Sequence, residues 1–130
     1  MGLNYLWDTN IVIYYLQQKF TRQSEIFIDS LLLQNKPLLS VISEIELLSW
    51  KSTSKHDYDV LLNFIIDSII FDLDNAVKTK TVQLRRQNKI KIPDAIIAAT
   101  ALVNDFTLIT RNISDFKNIE ELKFKDIFIS

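Results

Sequence analysis

At 130 residues and 48% hydrophobic content, the chain can bury one real core and is too apolar to be disordered. It has no cysteine, which excludes a disulfide framework, thiolate metal sites and thiol catalysis and suits a reducing cytoplasm. Its one glycine and two prolines leave no Walker loop and no dinucleotide fingerprint, and its net charge of −1 designates no partner.

In chain order, Leu3-Asn4-Tyr5-Leu6-Trp7 reads as a short buried strand, ended by Asp8-Thr9-Asn10. A short helix over Ile11 to Gln17 follows, and Gln18 to Thr21 breaks it. Ser24 to Gln34 is amphipathic at helical spacing, with Phe27, Ile28, Leu31 and Leu32 on one face. Asn35-Lys36-Pro37 stops that helix, and Leu38 to Ser40 is a buried strand. Ile42 to Trp50 is helical again. Ser52-Thr53-Ser54 is a polar break able to cap the next helix, which runs to about Asp67 with Tyr58, Leu61, Leu62, Ile65 and Ile66 inward. Ser68 to Phe71 is a third strand, ended by Asp72-Leu73-Asp74. Asn75 to Asn88 makes a mostly polar helix, and Ile92-Pro93-Asp94 opens the most apolar one, Ala95 to Val103. Proline suits a first helical turn because its missing N–H has no partner there. Phe106 to Thr110 is a fourth strand, 111–116 a loop or short helical turn, and Phe124 to Ile129 a last strand at an edge.

Strands alternating with helices predict an α/β fold in a single domain over 1–130, with a mostly parallel sheet of four to five strands between helical layers. No export signal and no apolar run long enough to cross a bilayer is visible, so a cytoplasmic protein without membrane contact is expected.

The carboxyl ends of parallel strands share one edge, and ligands of such sheets bind there. Asp8 follows the first strand, Glu46 lies in the helix after the second, and Asp115 follows the fourth. Asp94 opens the buried helix. Topology therefore gathers acids far apart in sequence. Two such charges about 4 Å apart repel by roughly 4 kcal/mol at an effective dielectric near 20. A hard cation, Mg²⁺ or Mn²⁺, relieves this and can orient a phosphodiester and activate water for in-line attack. Each acid also has an ordinary explanation. Asp8 and Asp94 suit helix N-termini. Glu46 follows Ser43 by three positions, a capping-box spacing. Asp115 can bond the turn starting at Asn112. Glu44 lies two residues from Glu46, on nearly the opposite helix face, so one of the two can look into the crevice.

The segment 75–93 holds no acid but six of the 15 basic residues: Lys78, Lys80, Arg85, Arg86, Lys89 and Lys91. Such a stripe can seat a phosphate backbone beside the acids, or can simply be a solvated helix face. Trp7 and Trp50 flank apolar segments and read as packing rather than base-stacking residues; Tyr14 and Tyr15 are open to either role. The lone His56 sits in a polar helix start, which argues against a Ser–His–Asp triad.

Four runs together, Leu6 to Asn10, Ser40 to Leu48, Ile92 to Ala101 and Leu108 to Phe116, resemble the PIN-domain ribonucleases, above all the VapC-type toxins of toxin–antitoxin pairs. The resemblance covers essentially the whole chain in order. It implies a PIN-like three-layer α/β/α fold and a Mg²⁺- or Mn²⁺-dependent endoribonuclease, held silent by a cognate antitoxin and working as a homodimer on RNA. Matched position by position, it makes Asp8, Glu46, Asp94 and Asp115 the catalytic and metal-holding acids. It gives Thr9, Asn10, Thr110 and Asn112 to their orientation. Glu44 departs from the commoner pattern. Two other readings compete: a non-catalytic PIN-like module acting through protein contacts, and a phosphotransfer enzyme with an Asp nucleophile. The latter wants a second Asp where Asn10 stands, or adjacent acids near the first strand.

Overall fold

The computed structural model describes residues 4–51 and 54–128. In chain order the elements are β1 (Tyr5–Trp7), α1 (Thr9–Leu16), α2 (Arg22–Gln34), β2 (Leu38–Ser40), α3 (Val41–Leu48), α4 (Lys55–Ile66), β3 (Ile69–Phe71), α5 (Asn75–Gln87), α6 (Ile92–Val103), β4 (Thr107–Thr110), α7 (Ile113–Phe116) and β5 (Phe124–Asp126). Among the described residues the strands form one sheet in the order β3-β2-β1-β4-β5, and every pairing is parallel. The expected α/β/α fold with four to five mostly parallel strands is thus met, with β5 at an edge. Leu3, Ser52, Thr53 and Ile129, expected in elements or breaks, lie outside the described residues.

Side chains alternate across a strand, so each strand feeds both faces. Leu6, Leu38 and Leu108 join one core, with Val77 and Leu84 of α5 and the alanine-rich α6. Their neighbours Trp7, Leu39 and Ile109 join the other, with Ile11 and Val12 of α1, Ile28 of α2, Leu47 of α3, and Leu61 and Ile65 of α4. Ala95, Ala98, Ala99 and Ala101 are fully buried, and α5 packs along α6 more extensively than any other described pair. Small side chains permit that closeness.

Several boundaries differ from expectation, for local reasons. Helix α1 begins at Thr9 because Asp8 itself caps it. Helix α3 begins at Val41, since the Ser40 hydroxyl accepts the Ile42 amide at 3.1 Å. Ser54 caps α4 by accepting the Asp57 amide at 3.1 Å. Ser68 stays with the end of α4, its hydroxyl bonded to the Phe64 carbonyl at 2.7 Å. In α4, Leu61 and Ile65 do face inward, but Tyr58 is exposed and Ile66 is 74% exposed.

Candidate active site

The chain builds β1, β2 and β3 outward in one direction, then returns to place β4 on the other side of β1. The strand order reverses between β1 and β4, and that is where open α/β sheets leave a crevice beyond the strand ends. Trp7 pairs with Ile109, and the Asp8 amide donates to the Ile109 carbonyl at 2.9 Å. This register sets Asp8 beside Thr110. The Thr110 hydroxyl donates to Asp8 Oδ2 at 2.7 Å and accepts the Asn112 amide at 2.9 Å. Asp8 Oδ1 accepts the Thr9 amide at 2.8 Å. Asp8 therefore caps α1 and faces the crevice at once: the two explanations of this residue coexist.

Asp8 is 5% exposed. Burial pushes its carboxyl up to about 6, opposed by the hydrogen bonds from Thr110 and Thr9 and reinforced by the negative charges of Asp94 and Glu46. Asp94, half-buried in the first turn of α6, is also pushed above the usual carboxylate range. Burial is the main cause, then Asp115 and Glu46, with Lys91 acting the other way. No side chain caps α6, and Pro93 occupies its first turn.

Glu46 reaches the crevice from α3. The Thr9 hydroxyl lies 2.7 Å from Glu46 Oε1, to which it donates, and 2.9 Å from Ser43 Oγ. The capping-box explanation of Glu46 does not apply, because Ser40 is the cap and Ser43 sits buried inside the helix. Ser43, read from sequence only as a cap, instead supports Thr9. Glu46 rather than Glu44 lines the pocket, as the helical offset of about 200° for two residues requires.

Asp8, Glu46 and Asp94 share a pocket of about 370 Å³ with Thr9, Asn10 and Asn112. Asp115 lines an adjoining cleft of about 380 Å³, with Arg85, Lys89, Lys91 and again Asp94. Asp94 thus joins an acidic pocket to a basic cleft. Of the other basic residues, Lys80 is paired with Glu121 at 3.1 Å, and Lys78 and Arg86 do not line the cleft. The basic stripe contributes to this region through Arg85, Lys89 and Lys91.

Among the described residues, no three acidic or histidine side chains converge closely enough to hold an ion by themselves. The four acids are gathered at one edge, but not as a ready cage. The donor set still fits a hard cation. All its atoms are oxygens, neighbouring acids help raise the pKa of Asp8 and of Asp94, and the buried Asn10 Oδ1 beside them has no hydrogen-bond partner. Mg²⁺ commonly binds through one or two carboxylates and keeps several waters, so it needs no three-acid cage.

The two tryptophans part company. Trp7 is 2% exposed and packs edge-on to Tyr15 at 5.7 Å, as the sequence suggests. Trp50 is 37% exposed and lines the acidic pocket, contrary to its reading as a packing residue. The helix expected to run to Trp50 ends at Leu48, so Trp50 falls beyond its last turn.

A family profile described as the PIN domain matches residues 5–122. The fold is similar to that of a toxin–antitoxin complex from Klebsiella pneumoniae, at 28% identity and TM-score 0.72, covering 92% of this chain and 95% of that one. It is also similar to FitAcB from Neisseria gonorrhoeae, at 26% identity and TM-score 0.73, covering 93% and 96%. VapBC2 from Rickettsia felis, bound to a DNA fragment from its promoter, shares the fold at 24% identity and TM-score 0.81, covering 95% and 98%. No curated protein matches the sequence.

Proposed function

The chain belongs to the PIN-domain family, and from that premise we propose that it is a divalent-metal-dependent endoribonuclease, the toxin of a toxin–antitoxin pair. The observation that carries this reading is the buried Asp8 at the β1/β4 reversal, sharing one pocket with Glu46 and Asp94. Asp8, Asp94 and Glu46 would hold Mg²⁺ or Mn²⁺, with Asp115 at the adjoining cleft. When bound, such an ion supplies charge neutralisation and Lewis acidity toward a phosphodiester and water.

The chain's own residues do the rest. Thr110 and the Thr9 amide fix both oxygens of Asp8, so its carboxylate keeps one rotamer. The Thr9 hydroxyl turns Glu46 toward the same pocket. Arg85, Lys89 and Lys91 attract the RNA backbone and lead it along the cleft to Asp94. Asn10 lines the same pocket, and its buried amide oxygen has no hydrogen-bond partner. A cognate antitoxin, a homodimeric state and a cytoplasmic setting belong to the same proposal; the likeness to a toxin–antitoxin complex supports the antitoxin. No helix among the described residues is long and apolar enough to cross a membrane.

The test is incubation of the pure protein with structured RNA, with Mg²⁺ or Mn²⁺ and with a chelator, followed by end-mapping. Discrete cuts that the chelator abolishes are expected. RNA left whole under every ion, or cut equally with chelator present, would refute the assignment and favour a binding module.

A further inference from the structure

Trp50 lies two residues past the end of α3, its amide still hydrogen-bonded to the Leu47 carbonyl at 3.3 Å. Trp50 lines the acidic pocket. It also lines a second pocket of about 330 Å³, with Ile13, Leu16, Val60 and Leu61, and with Gln17 and Asp57 as its polar groups. Among the described residues its ring meets no other aromatic ring, in contrast to Trp7. A large indole is thus partly open to solvent between a carboxylate site and an apolar hollow.

We propose that Trp50 is a specificity-determining residue that stacks on an unpaired base next to the phosphate held at the acidic pocket, and that Asp57 reads that base as guanine. The proposal rests on the ribonuclease reading above. A base hangs from the sugar beside its phosphate, so a phosphate at the acids leaves the flanking base at the adjoining hollow. A base locked in a duplex cannot enter, whereas an unpaired one stacks on an aromatic face and offers its Watson–Crick edge. Ile13 and Val60 supply apolar walls around the ring. Guanine presents two adjacent N–H donors that a carboxylate accepts side by side, the geometry that makes paired hydrogen bonds to carboxylates strong. Uracil presents one N–H flanked by two carbonyls, which a carboxylate repels. Asp57 therefore favours guanine over uracil.

The chain has two tryptophans, and the other is buried, so quenching of intrinsic fluorescence by RNA reads Trp50. The probes are RNA hairpins differing in one unpaired loop base, mixed rapidly with the protein in Mg²⁺ or Mn²⁺ so that binding is read before cutting, and followed for cutting over longer times. The expected results are quenching by the hairpins that is absent in Trp50→Phe, and a loss of about ten- to a hundredfold in affinity for Trp50→Ala. KM for cutting should rise far more than kcat falls, and Trp50→Phe should recover most of the affinity. The guanine loop should bind more tightly than the uracil loop, and Asp57→Asn should erase that preference. Unquenched fluorescence, with Trp50→Ala binding hairpins within about twofold of the parent, would overturn the proposal and leave Trp50 to a protein contact. Wild-type cutting with Trp50→Ala unaffected refutes this inference alone; a wild-type protein that cuts no RNA refutes the nuclease reading itself.

Discussion

Replacing Asp8 with asparagine tests the electrostatics of the site directly. Burial raises this carboxyl from 3.8 to about 6, so at neutral pH its ionised form costs the folded, metal-free protein about 3 kcal/mol relative to the unfolded chain. Asparagine removes the charge and keeps the shape. Its oxygen can still accept the Thr9 amide. Its NH₂ group cannot accept the Thr110 proton, so the hydroxyl loses its acceptor and one bond of about 1 kcal/mol is lost. The net is a gain of about 2 kcal/mol, or roughly 6–10 °C in Tm for a chain of this length. The sign follows from the raised pKa. Native Asp8 holds its proton longer than the unfolded chain does, so its contribution is fullest below about pH 4 and is lost as pH rises through about 6. Asp8→Asn should therefore melt higher than the parent at pH 8 in chelator, lose that advantage below about pH 5, and fall slightly behind near pH 4. Thermal unfolding by circular dichroism across this range measures it. A change in Tm of one sign and size at every pH, or a destabilisation at pH 8 as large as at pH 4, would refute the claim that Asp8 is a buried and uncompensated charge.

Other consequences are open to simple measurement. Millimolar Mg²⁺ or Mn²⁺ should raise the Tm of the wild-type protein but not of Asp8→Asn, and by more at pH 7.5 than at pH 5, where Asp8 is mostly protonated; equal shifts in both proteins would remove Asp8 from the ion's ligands. Thr110→Val should cost about 1–3 kcal/mol in urea unfolding and move the pH midpoint of activity upward, because the Thr110 bond is the largest influence lowering the Asp8 pKa; Thr110→Ser should restore both. Arg85→Ala and Lys89→Ala should each weaken RNA binding and reduce the salt slope by about 1, whereas Lys80→Ala, whose ammonium is engaged by Glu121, should leave the slope unchanged. Ala98→Leu should destabilise by about 1–3 kcal/mol in the same unfolding assay, because α6 has no room for three more carbons.

Helical and strand segments were legible because their signals are local. Leu38 to Ser40 between stop residues, the stripe of Phe27, Ile28, Leu31 and Leu32, and the alanine-rich run after Pro93 each declare an element within a few residues. Asp8 could be placed at the strand-end edge for the same reason, since it follows β1, whereas Asp94 opens a helix that follows another helix, so alternation alone does not place it. What the sequence determined by itself is therefore the order of elements, the parallel α/β class and the place of Asp8 at the strand-end edge. Strand order was decided only in the tertiary structure. That β4 returns to lie against β1 depends on pairing between residues about a hundred positions apart, and this brings Thr110 onto Asp8. The same long-range packing chose Glu46 over Glu44 through Thr9, left Asp115 in the neighbouring cleft, tied Lys80 to Glu121 and opened Trp50 to solvent. A periodic pattern says which face of an element is apolar. Which partner covers that face, and which side chain is left uncovered, follows from how the whole chain packs.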